Sequence, residues 1–422
     1  MFYQYSNLED EVLNFRADAS LPFTLNGQDN KISWGSYFLS KERTLDNRRF
    51  KFSYNPIEDD TRAIDDILVD SLAVTERLDL TSNYRQEDAY LAEQSLVAFY
   101  VNALISPFNA LDLNFGFRQE QSTQDLEVGI EEDSQESYSL ETSDTLPFFG
   151  ATFRVSDEHQ FRFAYSNTLT RPDFREFSPT RYKDPETDYV VRGNPDLKYT
   201  EITNIDFKYE WFPSFDEFLS FGLFTKSFTN PIETVRSVPD EDIEISYVNA
   251  EGADSFGFEL GFRKSLDGLL GDLEHYFVEG NYAWIHSEVQ LNQSDIDSYG
   301  LTTNDRAMQG QSPYVTNIKF GYDNFFTRRS AMFLYNVYGK RISALGVDGV
   351  ADAYEQPFQR LDFVVKWGLN DTYDEQEKKI GYTVSLKIKN LLDQDEETLQ
   401  GGQVANLESP GRSATVGFSM KF

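Results

Sequence analysis

The chain ends in the sequence RSATVGFSMKF, residues 412–422, in which apolar and polar residues alternate. In an extended strand, one face would carry Ala414, Val416, Phe418, Met420 and Phe422. The other face would carry serine, threonine, glycine and lysine, because successive strand side chains point to opposite faces. Such a strand fits the wall of a membrane barrel, with its apolar face toward lipid and its polar face toward the lumen. It also fits a soluble antiparallel sheet that packs one face against a hydrophobic core. Repetition of the pattern along the chain decides between them.

The same alternation recurs upstream, and no helical period of 3.6 residues competes over a comparable length. The apolar positions of these stretches span residues 13–23, 111–117, 205–211, 256–262, 318–322, 361–369 and 380–388. The sequence therefore predicts an all-β protein, and specifically a transmembrane antiparallel up-and-down β-barrel.

Two further expectations follow from the barrel interpretation. The outward face of the wall is predicted to carry Leu111, Phe115, Phe207, Phe258, Val365, Val384 and Phe418. Tryptophan is enriched at membrane interfaces, so Trp34, Trp211 and Trp367 are expected near the rim with the short turns.

The composition excludes other membrane designs. Apolar residues make up 40% of the chain, and no apolar run approaches the roughly 18 residues that a spanning helix needs. Alternating strands are the remaining route into a bilayer, and 36 Phe with 24 Tyr suit lipid-facing strands. Cysteine is absent, which excludes disulfide scaffolds and thiolate metal sites.

The chain is strongly acidic. It has 38 basic and 71 acidic residues, a net charge of −33, so no nucleic-acid partner is expected, because phosphate binding needs the opposite sign. The acidic excess lies in predicted loops at residues 58–66, 131–136, 184–188, 240–244 and 393–397. These loops either attract cations and basic ligands or are simply solvated external loops.

Short and long connections alternate between the predicted strands. The short ones are residues 26–30, 106–110, 156–159, 213–216, 265–272, 325–329 and 370–378. The long ones are residues 56–84, 129–137, 170–197, 231–246, 290–309, 344–356 and 391–409. Membrane barrels have short periplasmic turns and long external loops, so the C-terminus is predicted in the periplasm. The strand count is about 15, which leaves the first and last strands running in the same direction.

Two motifs in the middle of the chain resemble those of the TonB-dependent outer-membrane receptors. The first, S-x-T-x-x-R-P-x-F, is matched by Ser166, Thr168, Arg171, Pro172 and Phe174. The second, G-N-P-x-L, is matched by Gly193, Asn194, Pro195 and Leu197. The resemblance extends from about residue 90 to the C-terminus, where the final Phe422 corresponds to the family's assembly signal.

The resemblance implies a barrel of 22 strands, of which this chain would carry about 15 or 16. Residues 1–422 are then expected to be the C-terminal part of the barrel domain, with the signal peptide and the N-terminal plug outside this chain. The first ten residues have neither a basic start nor an apolar stretch, as expected for a chain without a signal peptide.

The resemblance also implies a function. A receptor of this family takes up a scarce ligand, such as a siderophore, a vitamin or an oligosaccharide, by energy-coupled transport across the outer membrane of a Gram-negative bacterium. Its implied partners are outer-membrane lipid and lipopolysaccharide, the TonB complex acting through the missing N-terminal part, and the barrel-assembly machinery. The alternative is a passive porin or a surface-binding barrel protein.

The motif residues are expected at a barrel rim, since prolines and the pair Gly193–Asn194 suit strand ends and turns. Arg171 either reaches into the lumen or, as we favour, pairs with a nearby carboxylate such as Asp173 or Glu176. The residues considered as possible ligand contacts are Arg171, Tyr182, Tyr189 and Arg192.

No catalytic residue, cofactor or bound metal is predicted, and the protein is not expected to be an enzyme. His159, His275 and His286 are scattered and lack metal-ligand spacing. The acidic stretch between Asp59 and Asp66 offers carboxylates for a calcium loop, but it lacks the glycine and final glutamate of the twelve-residue pattern.

Overall fold

The fold is known from a computed structural model. It describes residues 2–54, 78–82, 88–129, 135–184, 189–237, 244–267, 273–291, 293, 296–297, 300–303, 305–369 and 381–421. These residues contain 24 strands, numbered here in chain order, and a short helix, α1 (Phe174–Phe177).

Fifteen of the strands form one continuous wall, in which each pairs antiparallel with the next wall strand along the chain. They are β1 (Phe2–Leu25), β2 (Gln28–Tyr54), β4 (Ala89–Phe108), β5 (Leu111–Val128), β6 (Glu136–Arg154), β7 (His159–Thr170), β10 (Thr200–Ser214), β11 (Glu217–Thr229), β14 (Gly252–Ser265), β15 (Tyr276–Gln290), β16 (Tyr314–Asn324), β17 (Arg329–Tyr338), β20 (Phe358–Gly368), β21 (Gly381–Lys389) and β24 (Ser413–Lys421). A sixteenth strand, β3 (Leu78–Ser82), pairs with β2. The predicted all-β, antiparallel, up-and-down fold and its count of 15 or 16 strands are confirmed.

The two ends of the wall are β1 and β24. No pairing joins them within the described residues. An odd number of antiparallel strands leaves both ends running in the same direction, as the sequence predicted. The first hairpin is also long, with 24 residues in β1 and 27 in β2, whereas about 9–11 residues span a bilayer.

One face of the wall is apolar. Paired residues of neighbouring strands lie side by side on the same face, and one such row runs through Phe163, Phe207, Leu223, Phe258 and Trp284. The seven residues predicted to point outward all share this face through the strand registers. Phe115, Phe207 and Phe418 are 42%, 40% and 65% exposed, so this face does not pack into a core between two sheets.

The opposite face is polar and concave. Ion pairs join Arg162 and Lys208 to Glu210 at 2.9 and 3.0 Å, and Lys319 to Glu279 at 3.0 Å. A concavity of about 720 Å³ on this face extends from β10 to β20. The polar face is therefore the lumen side of the wall.

The alternation of short and long connections is as predicted. Short turns occupy residues 26–27, 109–110, 155–158, 215–216 and 325–328. Asn26 and Gly27 have positive φ values of 52° and 76°, the conformation that a two-residue Asn-Gly hairpin requires. Trp211 pairs with His159 beside one short turn and Trp367 with Arg329 beside another, while Trp34 lies seven residues beyond Gly27.

The long connections fold on one another at the other rim. One small sheet contains β8 (Arg181–Lys183), β9 (Val190–Arg192), β12 (Ile232–Ser237) and β13 (Glu244–Asn249). A second contains β18 (Arg341–Ala344), β19 (Ala353–Glu355), β22 (Glu396–Gln400) and β23 (Gln403–Glu408). We call α1, these two sheets and the segments between them the rim cap. Where the chain is described, no helix has the length and apolarity to cross a membrane.

Candidate functional site

The first motif turns inward over the polar face of the wall. The Arg171 guanidinium bonds to Glu120 at 2.9 Å and reaches Asp144 at 3.5 Å, and it donates to the Thr142 hydroxyl at 3.0 and 3.2 Å. All three charged side chains are about nine-tenths buried. Arg171 therefore neutralises two carboxylates on the lumen face of β5 and β6.

The expected pairing of Arg171 with Asp173 or Glu176 is wrong. Those two carboxylates are used to begin α1. Asp173 accepts a hydrogen bond from the backbone N–H of Arg175 at 3.0 Å, and Glu176 accepts one from the N–H of Asp173 at 2.9 Å. This reciprocal capping box is needed because the first N–H groups of a helix have no partner within it.

We expect Arg171→Met to destabilise the protein by about 3 kcal/mol, because the buried Asp144 loses its cation and Glu120 keeps only its 2.6 Å pair with Arg118. Resistance to pulse proteolysis in detergent, with urea as denaturant, measures the loss. Arg162→Met is the matched control, since Arg162 sits on the same face but is 54% exposed, and it should cost under about 0.5 kcal/mol. Equal losses in the two variants would contradict the structural role of Arg171.

The apolar residues of the two motifs build a core beneath the rim cap. Phe174 and Leu197 are each 2% exposed and pack with Tyr90, Leu126 and Phe177. The Gln124 side-chain amide donates to the Pro172 carbonyl at 3.0 Å. The cations of Lys41 and Arg43 lie 4.9 and 5.6 Å from the centre of the Phe174 ring. The R-P-x-F segment is thus fixed to the inner face of β2, β4 and β5.

The second motif fastens α1 to β13. The Asn194 backbone N–H donates to the Glu176 carbonyl at 2.6 Å, and the Asn194 side-chain amide donates to the Tyr247 carbonyl at 3.0 Å. Gly193 passes so close to α1 that a Cβ there would lie 2.2 Å from the Ser178 carbonyl oxygen. The two motifs are separated in sequence but form one packed unit.

The four possible ligand contacts do not converge. Arg171 is buried in its ion-pair network, and Tyr189 lies under the Arg236 guanidinium at 4.8 Å. Tyr182 lines a cavity of about 450 Å³ beside α1, whereas Arg192 is exposed on a separate concavity of about 770 Å³. Burial raises the pKa of the Tyr182 hydroxyl to about 12, against the opposing effect of Arg175, so this group is neutral at physiological pH.

The rim cap has its own core and a buried ion pair. Its apolar core is formed by Val235, Val248, Leu301, Ile342, Leu345 and Val347. Arg306 and Glu233 are 2% and 4% exposed and pair at 3.0 Å, which joins the connection after β15 to β12. Arg236 donates to the Gln400 side chain at 2.9 Å and so links the two small sheets. The rim cap is therefore a folded unit and not a set of separate loops.

The histidines serve as ring contacts in the structure. His159 stacks on Trp211 at 5.9 Å and bonds to the Tyr209 hydroxyl at 2.8 Å, while His286 stacks on Trp284 at 6.3 Å. The described part of the chain contains no group of three or more His, Asp or Glu residues placed to hold a metal ion. The suggested calcium stretch between Asp59 and Asp66 and the terminal Phe422 lie outside the described residues.

The chain resembles solved outer-membrane receptors in fold. The siderophore receptor PiuA from Acinetobacter baumannii superposes with a TM-score of 0.64 at 13% identity, covering 98% of this chain and 56% of PiuA. The ferric citrate transporter FecA gives 0.69 at 11% identity, covering 100% and 56%. The copper transporter OprC gives 0.66 at 14% identity, covering 99% and 58%. The chain thus spans a little over half the length of these proteins.

Curated proteins provide no sequence match. A family model does: the model described as "TonB dependent receptor-like, beta-barrel" matches residues 2–391. That match covers most of the wall and the rim cap, including both motifs. With the antiparallel wall and the solved receptors of the same fold, it establishes that this chain belongs to the TonB-dependent receptor β-barrel family.

Proposed function

We propose that this chain forms the barrel wall and the external rim of a receptor that takes up a scarce ligand across the outer membrane by TonB-coupled transport. The observation that carries the proposal is the combination of an inward-turned, folded rim cap with a polar lumen face below it. A rim with its own core presents a fixed surface to a ligand, and paired charges on the wall suit a polar pathway.

The orientation and partners belong to the same proposal. The rim cap, at the side of the long connections, faces the exterior, and the C-terminus faces the periplasm. The apolar face contacts outer-membrane lipid, with lipopolysaccharide around the rim. The barrel-assembly machinery recognises the C-terminal strand. Energy coupling acts through a part of the receptor outside these 422 residues.

Uptake measurements in cells test the proposal. Strains with and without the native gene are compared for uptake of labelled ferric siderophores, cobalamin and oligosaccharides, each with the coupling protein present or deleted. We expect one ligand class to lose saturable uptake equally on deletion of the receptor gene or of the coupling gene. Receptor-dependent uptake that persists without the coupling protein would favour the passive porin instead.

The 422-residue chain gives a second arm of this test. Reconstituted into lipid bilayers, it should show no stable, uniform conductance, because β1 and β24 each pair on one side only in the described residues and do not pair with each other. The backbone groups on their outer edges would then lack partners in lipid. A reproducible single-channel conductance without any partner would count against the receptor and for the porin.

A further inference from the structure

The cavity that contains Tyr182 lies between α1 and the lumen face of β1 and β2. Its volume of about 450 Å³ is within the range of small-molecule sites. The charged side chains that line it are Arg43, Asp173, Arg175 and Lys183. Three of these four side chains are cations, but Arg43 is bonded to Asp10 and Asp173, and Lys183 also interacts with another group.

Arg175 is the cation best placed to bind a ligand. Its guanidinium lies 4.3 Å from the centre of the Tyr182 ring and forms no ion pair with any residue that the structure describes. Arg43, by contrast, is already bonded to Asp10 at 2.7 Å and to Asp173 at 3.2 Å. Arg175 stacks on the ring and donates a hydrogen bond to the Tyr182 hydroxyl, which holds the guanidinium in place. A guanidinium has five N–H donors, so further donors remain for a ligand.

A buried donor in the same cavity has no partner. Asn47 is 1% exposed; its side-chain oxygen accepts from the Ser6 hydroxyl at 2.6 Å, whereas its Nδ2 has no hydrogen-bond partner among the described residues. Buried polar groups are normally satisfied, so an unpaired amide lining a cavity indicates that an acceptor atom enters there. Both groups, the Arg175 guanidinium and the Asn47 amide, are hydrogen-bond donors.

We propose that this cavity binds a small ligand that carries a carboxylate, with Arg175 and Asn47 as its donors; this inference rests on the proposed receptor function. A planar guanidinium matches the two oxygens of a carboxylate. Leu45 and Tyr90 supply apolar wall for the rest of the ligand. The neutral Tyr182 hydroxyl adds no negative charge to oppose it.

Calorimetric titration of the full 422-residue chain in detergent micelles tests this assignment, with citrate as the probe. We expect saturable citrate binding and none for triethyl citrate, which has the same skeleton without the charges. Arg175→Met should weaken citrate binding at least tenfold, and Asn47→Asp, which nearly preserves shape but adds a negative charge, should weaken it similarly. Arg329→Met is the matched control, because Arg329 stacks on Trp367 at 4.4 Å on the outward face, and citrate binding should be unchanged.

Three results would overturn the assignment. The first is that citrate shows no saturable binding up to about 10 mM, which corresponds to a binding free energy weaker than about 3 kcal/mol. The second is that triethyl citrate binds as tightly as citrate. The third is that Arg175→Met binds citrate as tightly as the unchanged chain. Inorganic phosphate that binds tighter than citrate would also overturn the choice of carboxylate. Unchanged resistance of each variant to pulse proteolysis shows that it is folded. If citrate does not bind but cells still show coupled uptake, the proposed receptor function is retained and only this inference is rejected.

Discussion

Replacing Arg306 by Met destabilises the rim cap by about 3–5 kcal/mol, the expected cost of leaving Glu233 as an unpaired charge in an apolar setting. The two side chains are 2% and 4% exposed and form a bidentate ion pair. Pulse proteolysis of the protein in detergent, followed by mass analysis of the fragments, measures the effect. Cleavage should appear first in the rim cap, while the wall strands stay intact.

The double variant Arg306→Met/Glu233→Leu is the control for charge. Buried ion pairs are often replaceable by apolar residues of similar volume without loss, so the double variant should recover most of the resistance to proteolysis. If the double variant is as labile as Arg306→Met alone, lost packing and not the unpaired carboxylate is responsible. That result would contradict the account given for this pair.

Gly193→Ala is expected to cost about 3 kcal/mol and to displace α1. The new Cβ would lie 2.2 Å from the Ser178 carbonyl oxygen, and the carbonyl oxygens of Arg175 and Glu176 are at 2.5 and 2.6 Å. These are backbone atoms, so the contact can be relieved only by moving the backbone of α1 away from that of residue 193. The Arg175 cavity should change with it, and citrate binding should weaken.

Gly150→Ala is the matched control, because the nearest atom to a Cβ at Gly150 is 3.7 Å away. Both glycines belong to the same chain and receive the same methyl group, so only the available space differs. Resistance to pulse proteolysis should be unchanged within about 0.5 kcal/mol for Gly150→Ala. Similar losses at both positions would show that the close approach at Gly193 is not the cause.

The wall could be predicted because its signal is local. A period of two, repeated over strands of nine residues or more, assigns each side chain to a face, and turn residues between the strands mark the short connections. The strands of the rim cap are only three to six residues long, so no period can be recognised in them. The four-residue α1 is shorter than any helical repeat that a sequence pattern can reveal.

The contacts of the site could not be predicted because they are long-range. Arg171 pairs with Glu120, 51 residues away, while the carboxylates adjacent in sequence are committed to the helix cap. Asn47 and Arg175 meet in one cavity although they belong to the first hairpin and to α1. Spacing in the sequence shows only which residues are close along the chain. Burial and the strand register decide which charged side chains pair.

In the proposed receptor, the length of the first hairpin determines the distance between the lipid and the cavity beside α1. A strand of 27 residues is about 90 Å long, and at a tilt of about 40° it rises roughly 70 Å, against about 25 Å for the apolar band of a membrane barrel. Arg43 lies about sixteen residues beyond the turn at Gly27, at a height of roughly 40 Å. The cavity beside α1 therefore stands more than a Debye length of about 10 Å above the apolar band. The headgroup layer occupies roughly 5–7 Å of that height, so an anion in the cavity lies about one Debye length from the phosphates and their repulsion is partly screened.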